Sequence, residues 1–209
     1  MPGPQSLADT IVAIATPPGI GGVGIVRVSG PRAIDVGRTV FQSRLGTRRR
    51  GLPSHRMVHG YVVDAEGTVI DEALCCFMAA PRSYTAEDVL ELHGHGGPVV
   101  LRRIVKRCLE AGARPAEPGE FTMRAYLNGR LDLAQAEAVA DIIAARSEAA
   151  VRIAQRQLRG ELSRRLEAVR APLLELLAHC EAVIDFAEEG VQDLQEAGAL
   201  DLLDEAESD

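Results

Sequence analysis

The sequence has no tryptophan and only seven aromatic side chains, four Phe and three Tyr, in 209 residues. Its core must therefore be built from aliphatic side chains and alanine. Lysine is nearly missing too: of 23 basic residues, Lys106 is the one lysine. So uniform a bias reads as a codon preference of the source, and an Arg here can stand where relatives carry Lys. Cysteine is scarce. Cys75, Cys76, Cys108 and Cys180 form no C-x-x-C pair, which argues against a disulfide framework and zinc-finger spacing. A reducing cytoplasm is the expected compartment. Long apolar runs are absent: the two longest nearly apolar stretches, 19–26 and 73–81, are less than half of the roughly 20 residues a membrane-spanning helix needs. Met1-Pro2-Gly3-Pro4-Gln5 carries no basic side chain, so no secretory leader is expected. There is no P-loop either. That motif needs Lys followed by Ser or Thr, and Lys106 is followed by Arg107. No nucleoside triphosphate binding or hydrolysis is expected of this chain.

What is present has the balance of a globular protein, with 46% hydrophobic and 25% charged residues. The length suits one large domain or two small ones. The character of the chain changes near residue 124. Residues 1–124 hold 16 of the 20 glycines and 10 of the 11 prolines. They carry 15 basic and 12 acidic side chains, net +3, whereas residues 125–209 carry 8 and 18, net −10; the two sum to −7. Gly and Pro punctuate turns and are costly inside helices. The first part therefore reads as short strands and loops, the second as long helices, with domains expected at 1–122 and 123–209. From 181 to 209 there are 11 acids and no Arg or Lys, read as a solvated helix face or terminus.

In the first part, β-branched runs predict strands over Thr10–Thr16, Val23–Val28, Met57–Val63, Val69–Met78 and Val89–Leu92. A helix is expected over Pro31–Phe41 with Ser29 as its cap. Another should start at Gly96-Gly97-Pro98 and run to about Ala111. The fold class is α+β, with a mixed sheet of about five strands. In the second part, Asp132 is a fair N-cap, and Val139, Ile142, Ile143, Ala150, Ile153, Ala154 and Leu158 share a helical face. Gly160 is a plausible break. Leu162, Leu166, Val169, Leu173, Leu176, Cys180 and Val183 then form a heptad seam, read as one side of an antiparallel helix pair within the domain, with an intermolecular coiled coil as the alternative. Pro172 inside it should kink the helix or remove a hydrogen bond.

Several motifs could carry chemistry. Gly19-Ile20-Gly21-Gly22-Val23-Gly24 matches G-x-G-x-x-G, but strand-like Ile25-Val26-Arg27-Val28 follows where a dinucleotide site needs a helix. His93 and His95 suggest a metal only weakly, since no Asp or Cys accompanies them in sequence; no metal site is assigned. Arg48-Arg49-Arg50 reads as a polar loop. Arg124 and Arg130 fall near the expected domain border, where a cleft is favoured. Arg27 and Glu91 interrupt apolar strands. They are either the solvent side of an alternating pattern or a guanidinium and a carboxylate on a ligand-binding face. A carboxylate can accept two parallel N–H bonds from a 2-amino-pyrimidinone edge, and an Arg fork can hold a carbonyl or carboxylate. No catalytic residue is assigned.

Taken together, Asp9–Ala13 with Thr16–Gly19, the run Gly21–Gly30, Ser83–Glu91 with His95–Pro98, the stretch 118–133, Gln135–Val139 and Ile184-Asp185-Phe186 resemble the N-terminal portion of the MnmE (TrmE) family of bacterial tRNA-modification GTPases. The resemblance is spread over roughly residues 9–190. It implies a tetrahydrofolate-binding domain related to folate-dependent aminomethyltransferases, which is also the dimerisation domain. A helical domain follows, interrupted in the family by a G domain that binds GTP, Mg and K. It further implies a homodimer that works with the flavoprotein MnmG on the wobble uridine, position 34, of tRNA. There it would add a carboxymethylaminomethyl-type group at C5 with a one-carbon unit from tetrahydrofolate. By position, Arg27, Glu91 and Arg130 are implied as ligands of 5-formyltetrahydrofolate, Arg130 standing where the family commonly has Lys. The chain stops before any G domain, so an incomplete helical domain and no GTP hydrolysis by this portion are expected. A free-standing one-carbon transferase and a non-catalytic dimerisation module are the alternatives.

Overall fold

The structure, a computed structural model, describes residues 8–44 and 52–185. Arg48-Arg49-Arg50, Phe186 and most of the acidic stretch lie outside the described residues. Two compact units separate between Leu131 and Asp132.

In chain order the first unit contains β1 (Ile11–Ile14), β2 (Gly21–Ser29), α1 (Ala33–Val40), β3 (Phe41–Ser43), β4 (Met57–Val63), β5 (Val69–Met78), β6 (Val89–Gly96), α2 (Pro98–Glu110), β7 (Arg114–Pro115) and α3 (Glu120–Leu127). The strands form one mixed sheet of seven in the order β3-β4-β5-β6-β2-β1-β7. Every pairing is antiparallel except β1 with β7. Five strands are expected from the pattern; β3 and β7 are the additions. At three and two residues they are too short to show a period of two.

Alternation along β2 and β6 decides which face is covered. Val26, Val28, Leu90 and Leu92 are fully buried. They meet Val36 and Val40 of α1 and Leu101, Ile104 and Cys108 of α2 in one core. Burying a Leu, Ile or Val of this kind stabilises by roughly 1.5–3 kcal/mol. The intervening residues Ile25, Arg27, Glu91 and His93 lie on the opposite, half-buried face. The glycine motif serves close packing here. A Cβ on Gly24 would come within 2.6 Å of Leu101 Cδ1, so α2 can press on β2 only because Gly24 lacks one. The motif leads into the rest of β2, not into a helix.

Ser29 does not cap α1. The N-cap position is Arg32, without a side-chain bond, and Ser29 is buried with its hydroxyl on Thr85 Oγ1 at 2.6 Å and Glu87 Oε2 at 2.7 Å. β6 runs past the expected end at Leu92 to Gly96, so His93 and His95 lie on the strand.

The second unit contains α4 (Leu133–Ala144), α5 (Glu148–Leu158) and α6 (Glu161–Asp185). Asp132 caps α4 in a capping box: its Oδ1 accepts from Gln135 N at 2.8 Å, and Gln135 Oε1 accepts from Asp132 N at 2.9 Å. Gly160, with φ of 75°, makes the break before α6 in a conformation that glycine adopts without strain. Pro172 sits inside α6 without ending it. Among the described residues no helix pair covers the heptad seam: Leu162, Leu166 and Leu173 are 41%, 61% and 45% exposed. The border expected at 122/123 falls within α3, which belongs to the first unit. Among the described residues, no helix is long and apolar enough to cross a membrane.

Candidate functional site

On the half-buried face of the sheet, the register sets Arg27 of β2 directly opposite Glu91 of β6. Nε and Nη2 of Arg27 both lie 2.8 Å from Glu91 Oε1. The other carboxylate oxygen, Oε2, is 3.1 Å from His93 Nε2, two residues along the same strand face. The side chains of Arg27 and Glu91 are 25% and 15% exposed, so the pair is sheltered yet open to a ligand. Cys76 of β5 lies on the other side of Glu91. Burial, and then the nearby Glu91 charge, push its thiol pKa up.

The loop between β5 and β6 brings Tyr84 onto this face. Its ring centroid is 5.0 Å from Arg27 Cζ and 5.2 Å from Arg130 Cζ. Phe121 of α3 adds a second ring, 5.6 Å from Arg27 Cζ. Such distances allow cation–π attraction. Arg130 is exposed, its backbone N–H donates to Ala125 O at 2.9 Å, and no carboxylate among the described residues pairs with its guanidinium. Of the three residues singled out in the sequence, Arg27 and Glu91 are thus in direct contact. Arg130 joins them through the Tyr84 ring. Tyr84, Phe121 and His93 join this face without a motif of their own in the sequence; the one usable signal is that four of the seven aromatic rings, Tyr84 and Phe121 among them, fall within the resembling segments.

Behind the site lies a charged cluster that the sequence did not disclose. Arg124, expected beside a cleft, is only 1% exposed. Its Nη1 donates to Asp9 O at 3.0 Å and Glu87 Oε1 at 3.2 Å, and its Nη2 to Asp9 Oδ1 at 2.5 Å and Glu120 Oε1 at 3.0 Å. Arg114 completes the cluster with Nη2 on Glu120 Oε1 at 2.6 Å and Nε on Asp9 Oδ2 at 2.5 Å. Burial acts to raise the carboxyl pKa of Asp9 and of Glu120. The hydrogen bonds from Arg114 and Arg124 outweigh it in both, aided at Glu120 by the Glu117 backbone N–H, and hold both below the ordinary carboxylate range. The cluster ties the start of β1, the Tyr84 loop and α3 together. Asn128 adds a bond from Nδ2 to Thr85 O at 2.7 Å.

The two strand histidines go to different carboxylates: His93 to Glu91, and His95 Nδ1 to Asp71 Oδ1 at 2.7 Å. Among the described residues, no group of three or more His, Cys, Asp or Glu is placed to hold a metal ion.

Two family models match the chain in tandem. The model for the "GTP-binding protein TrmE N-terminus" matches residues 10–130, and the model for the "MnmE helical domain" matches residues 133–209. Fold and matches define a TrmE-type N-terminal domain followed by helical-domain sequence. The "tRNA modification GTPase MnmE" of Pseudomonas aeruginosa strain PAO1 is 51% identical over 205 residues, covering 98% of this chain and 44% of the relative. Its namesake in Geobacter sulfurreducens is 55% identical over 188 residues, covering 88% and 40%. That of Roseiflexus castenholzii is 52% identical over 184 residues, covering 88% and 39%. The chain belongs to the MnmE/TrmE family of tRNA modification GTPases. It spans 39% to 44% of the length of these relatives.

Proposed function

We propose that this chain is the folate-binding and dimerising part of a cytoplasmic tRNA-modification GTPase, with Arg27, Glu91 and Arg130 as the residues that hold 5-formyltetrahydrofolate or a related tetrahydrofolate. The observation that carries the reading is the Arg27–Glu91 pair on the half-buried sheet face, beside an Arg130 guanidinium that no carboxylate of the described residues neutralises. The donor set fits the ligand. A carboxylate has about four lone-pair sites; Arg27 fills two on Oε1 and His93 one on Oε2. One site remains on Oε2, and Arg27 can release one of its two contacts, so Glu91 can accept both N–H groups of a pterin edge. The cationic heads of Arg27 and Arg130 suit the formyl oxygen and the carboxylates of the benzoyl-glutamate tail. The bound folate supplies a one-carbon unit; the residues of this chain bind and orient it.

In this reading the homodimer acts with the flavoprotein MnmG on the wobble uridine of tRNA, adding a carboxymethylaminomethyl-type group at C5. GTP hydrolysis with Mg and K belongs to a G domain, since this sequence has no P-loop. Calorimetric titration of the purified chain with 5-formyltetrahydrofolate tests the proposal. Saturable binding is expected, weakened more by Arg130→Ala than by Arg130→Lys, which keeps the charge. A chain that is folded and does not bind the folate contradicts it.

A further inference from the structure

We propose that Tyr84 is a positioning residue of this site: its ring holds the Arg130 guanidinium beside Arg27, so that the two cations receive an anionic group of the ligand. The inference rests on the folate reading above and concerns a residue that reading leaves unused.

The ring is fixed at both ends. Its hydroxyl is 2.8 Å from Thr122 Oγ1 on α3. The next residue, Thr85, is fully buried and tied from two sides, by Ser29 at 2.6 Å and by Asn128 Nδ2 on its carbonyl at 2.7 Å. Glu87, further along the loop, is gripped by Arg124 Nη1 at 3.2 Å and Ser29 Oγ at 2.7 Å. Against this rigid support stand two guanidinium groups about equally far from the ring, at 5.0 Å and 5.2 Å. Arg27 has Glu91 to neutralise it. For Arg130 the described structure offers the negative face of the aromatic ring and no carboxylate. An Arg side chain of several rotatable bonds on an exposed turn loses entropy when a ligand fixes it. The ring reduces that loss by holding the head in place beforehand, and it moderates the repulsion between the two like charges. The ligand group that such a pair of cations takes is a carboxylate, as on the glutamyl tail of a folate.

The test is a double-mutant cycle read by calorimetric titration with 5-formyltetrahydrofolate, using wild type, Tyr84→Leu, Arg130→Ala and the double variant. Tyr84→Leu should weaken binding about fivefold, the order expected for one lost cation–π contact. It should weaken it no further in the Arg130→Ala background. Tyr84→Phe keeps the ring and loses only the Thr122 bond, so it should bind as wild type does. Equal affinity of wild type and Tyr84→Leu overturns the proposal, as does a fivefold loss that persists when Arg130 is already Ala. If Tyr84→Leu does not fold by circular dichroism, pentafluorophenylalanine at position 84 gives the same comparison. It retains the ring shape and inverts its quadrupole, and full binding by it overturns the proposal. Failure of wild type to bind, or Glu91→Ala binding unchanged, would instead remove the folate reading itself.

Discussion

Replacing Arg124 with Met probes the buried charges that support the site. Arg124 is 1% exposed and reaches Asp9, Glu87 and Glu120. With Arg114 it balances three carboxylates with two cations; without it, Arg114 still pairs with Asp9 and Glu120, and the Glu87 carboxylate keeps only the Ser29 hydroxyl. Glu120, itself 1% exposed at its side chain, cannot regain water without opening the fold. Removing one partner from a buried pair costs about 3–5 kcal/mol, a large share of the 5–15 kcal/mol typical of a whole domain. The melting temperature should fall by roughly 10–20 °C on that scale. Arg124→Lys should recover little, because one ammonium cannot reproduce the planar fork of five donors. The pH dependence has a definite sign. Asp9 and Glu120 titrate below their ordinary values in the native state. Their contribution is therefore fully present above about pH 5, where unfolded carboxylates are already ionised, and is lost as pH falls through the lowered native values. Urea unfolding at pH 7 and again near pH 3, followed by circular dichroism, reads both effects. A loss below about 1 kcal/mol at pH 7, or a difference between wild type and variant that does not shrink in acid, refutes the reasoning.

Two further outcomes follow from packing and burial. A Cβ added at Gly60 would meet Gln42 O at 2.2 Å and Phe41 Cζ at 2.6 Å, so Gly60→Ala should cost roughly 1–3 kcal/mol in chemical unfolding. Gly22→Ala, where nothing lies within 4 Å, should stay within about 0.5 kcal/mol; equal effects would show that close strand contact is not the cause. Burial pushes the Cys108 thiol up to about 12 and the Cys75 thiol higher still, where the neighbouring Cys76 and Cys108 add to the rise. Both should resist iodoacetamide at pH 8 in the folded chain and react once it is unfolded, as mass spectrometry of the labelled peptides can follow. Labelling of either at the rate of a free thiol contradicts the core described above.

Local signals were readable and long-range ones were not. β4 and β5 occupy the spans that their β-branched runs predict, and Asp132 caps α4 as its residue type suggests. Arg27 and Glu91 stood out because a charge in an apolar strand is visible in sequence. Their mutual contact did not, since register between β2 and β6 depends on pairing across 64 residues. The Arg124 cluster is further out of reach: Asp9 and Arg124 are 115 residues apart. No local pattern distinguishes a buried Arg from one lining a cleft. Ser29 illustrates the same limit. Its residue type fits a helix cap, but the buried hydroxyls and carboxylate of the Tyr84 loop claim it first.

The claim that Glu91 is the carboxylate for a pterin edge has one most direct measurement. It is the dissociation constant of 5-formyltetrahydrofolate for wild type and for Glu91→Ala, by calorimetry, with circular dichroism confirming that both are folded. Loss of one partner of a charged hydrogen-bonded pair costs about 2–5 kcal/mol, so the variant should bind at least about thirtyfold more weakly. Unchanged affinity in a folded Glu91→Ala chain would contradict the account and place the folate elsewhere.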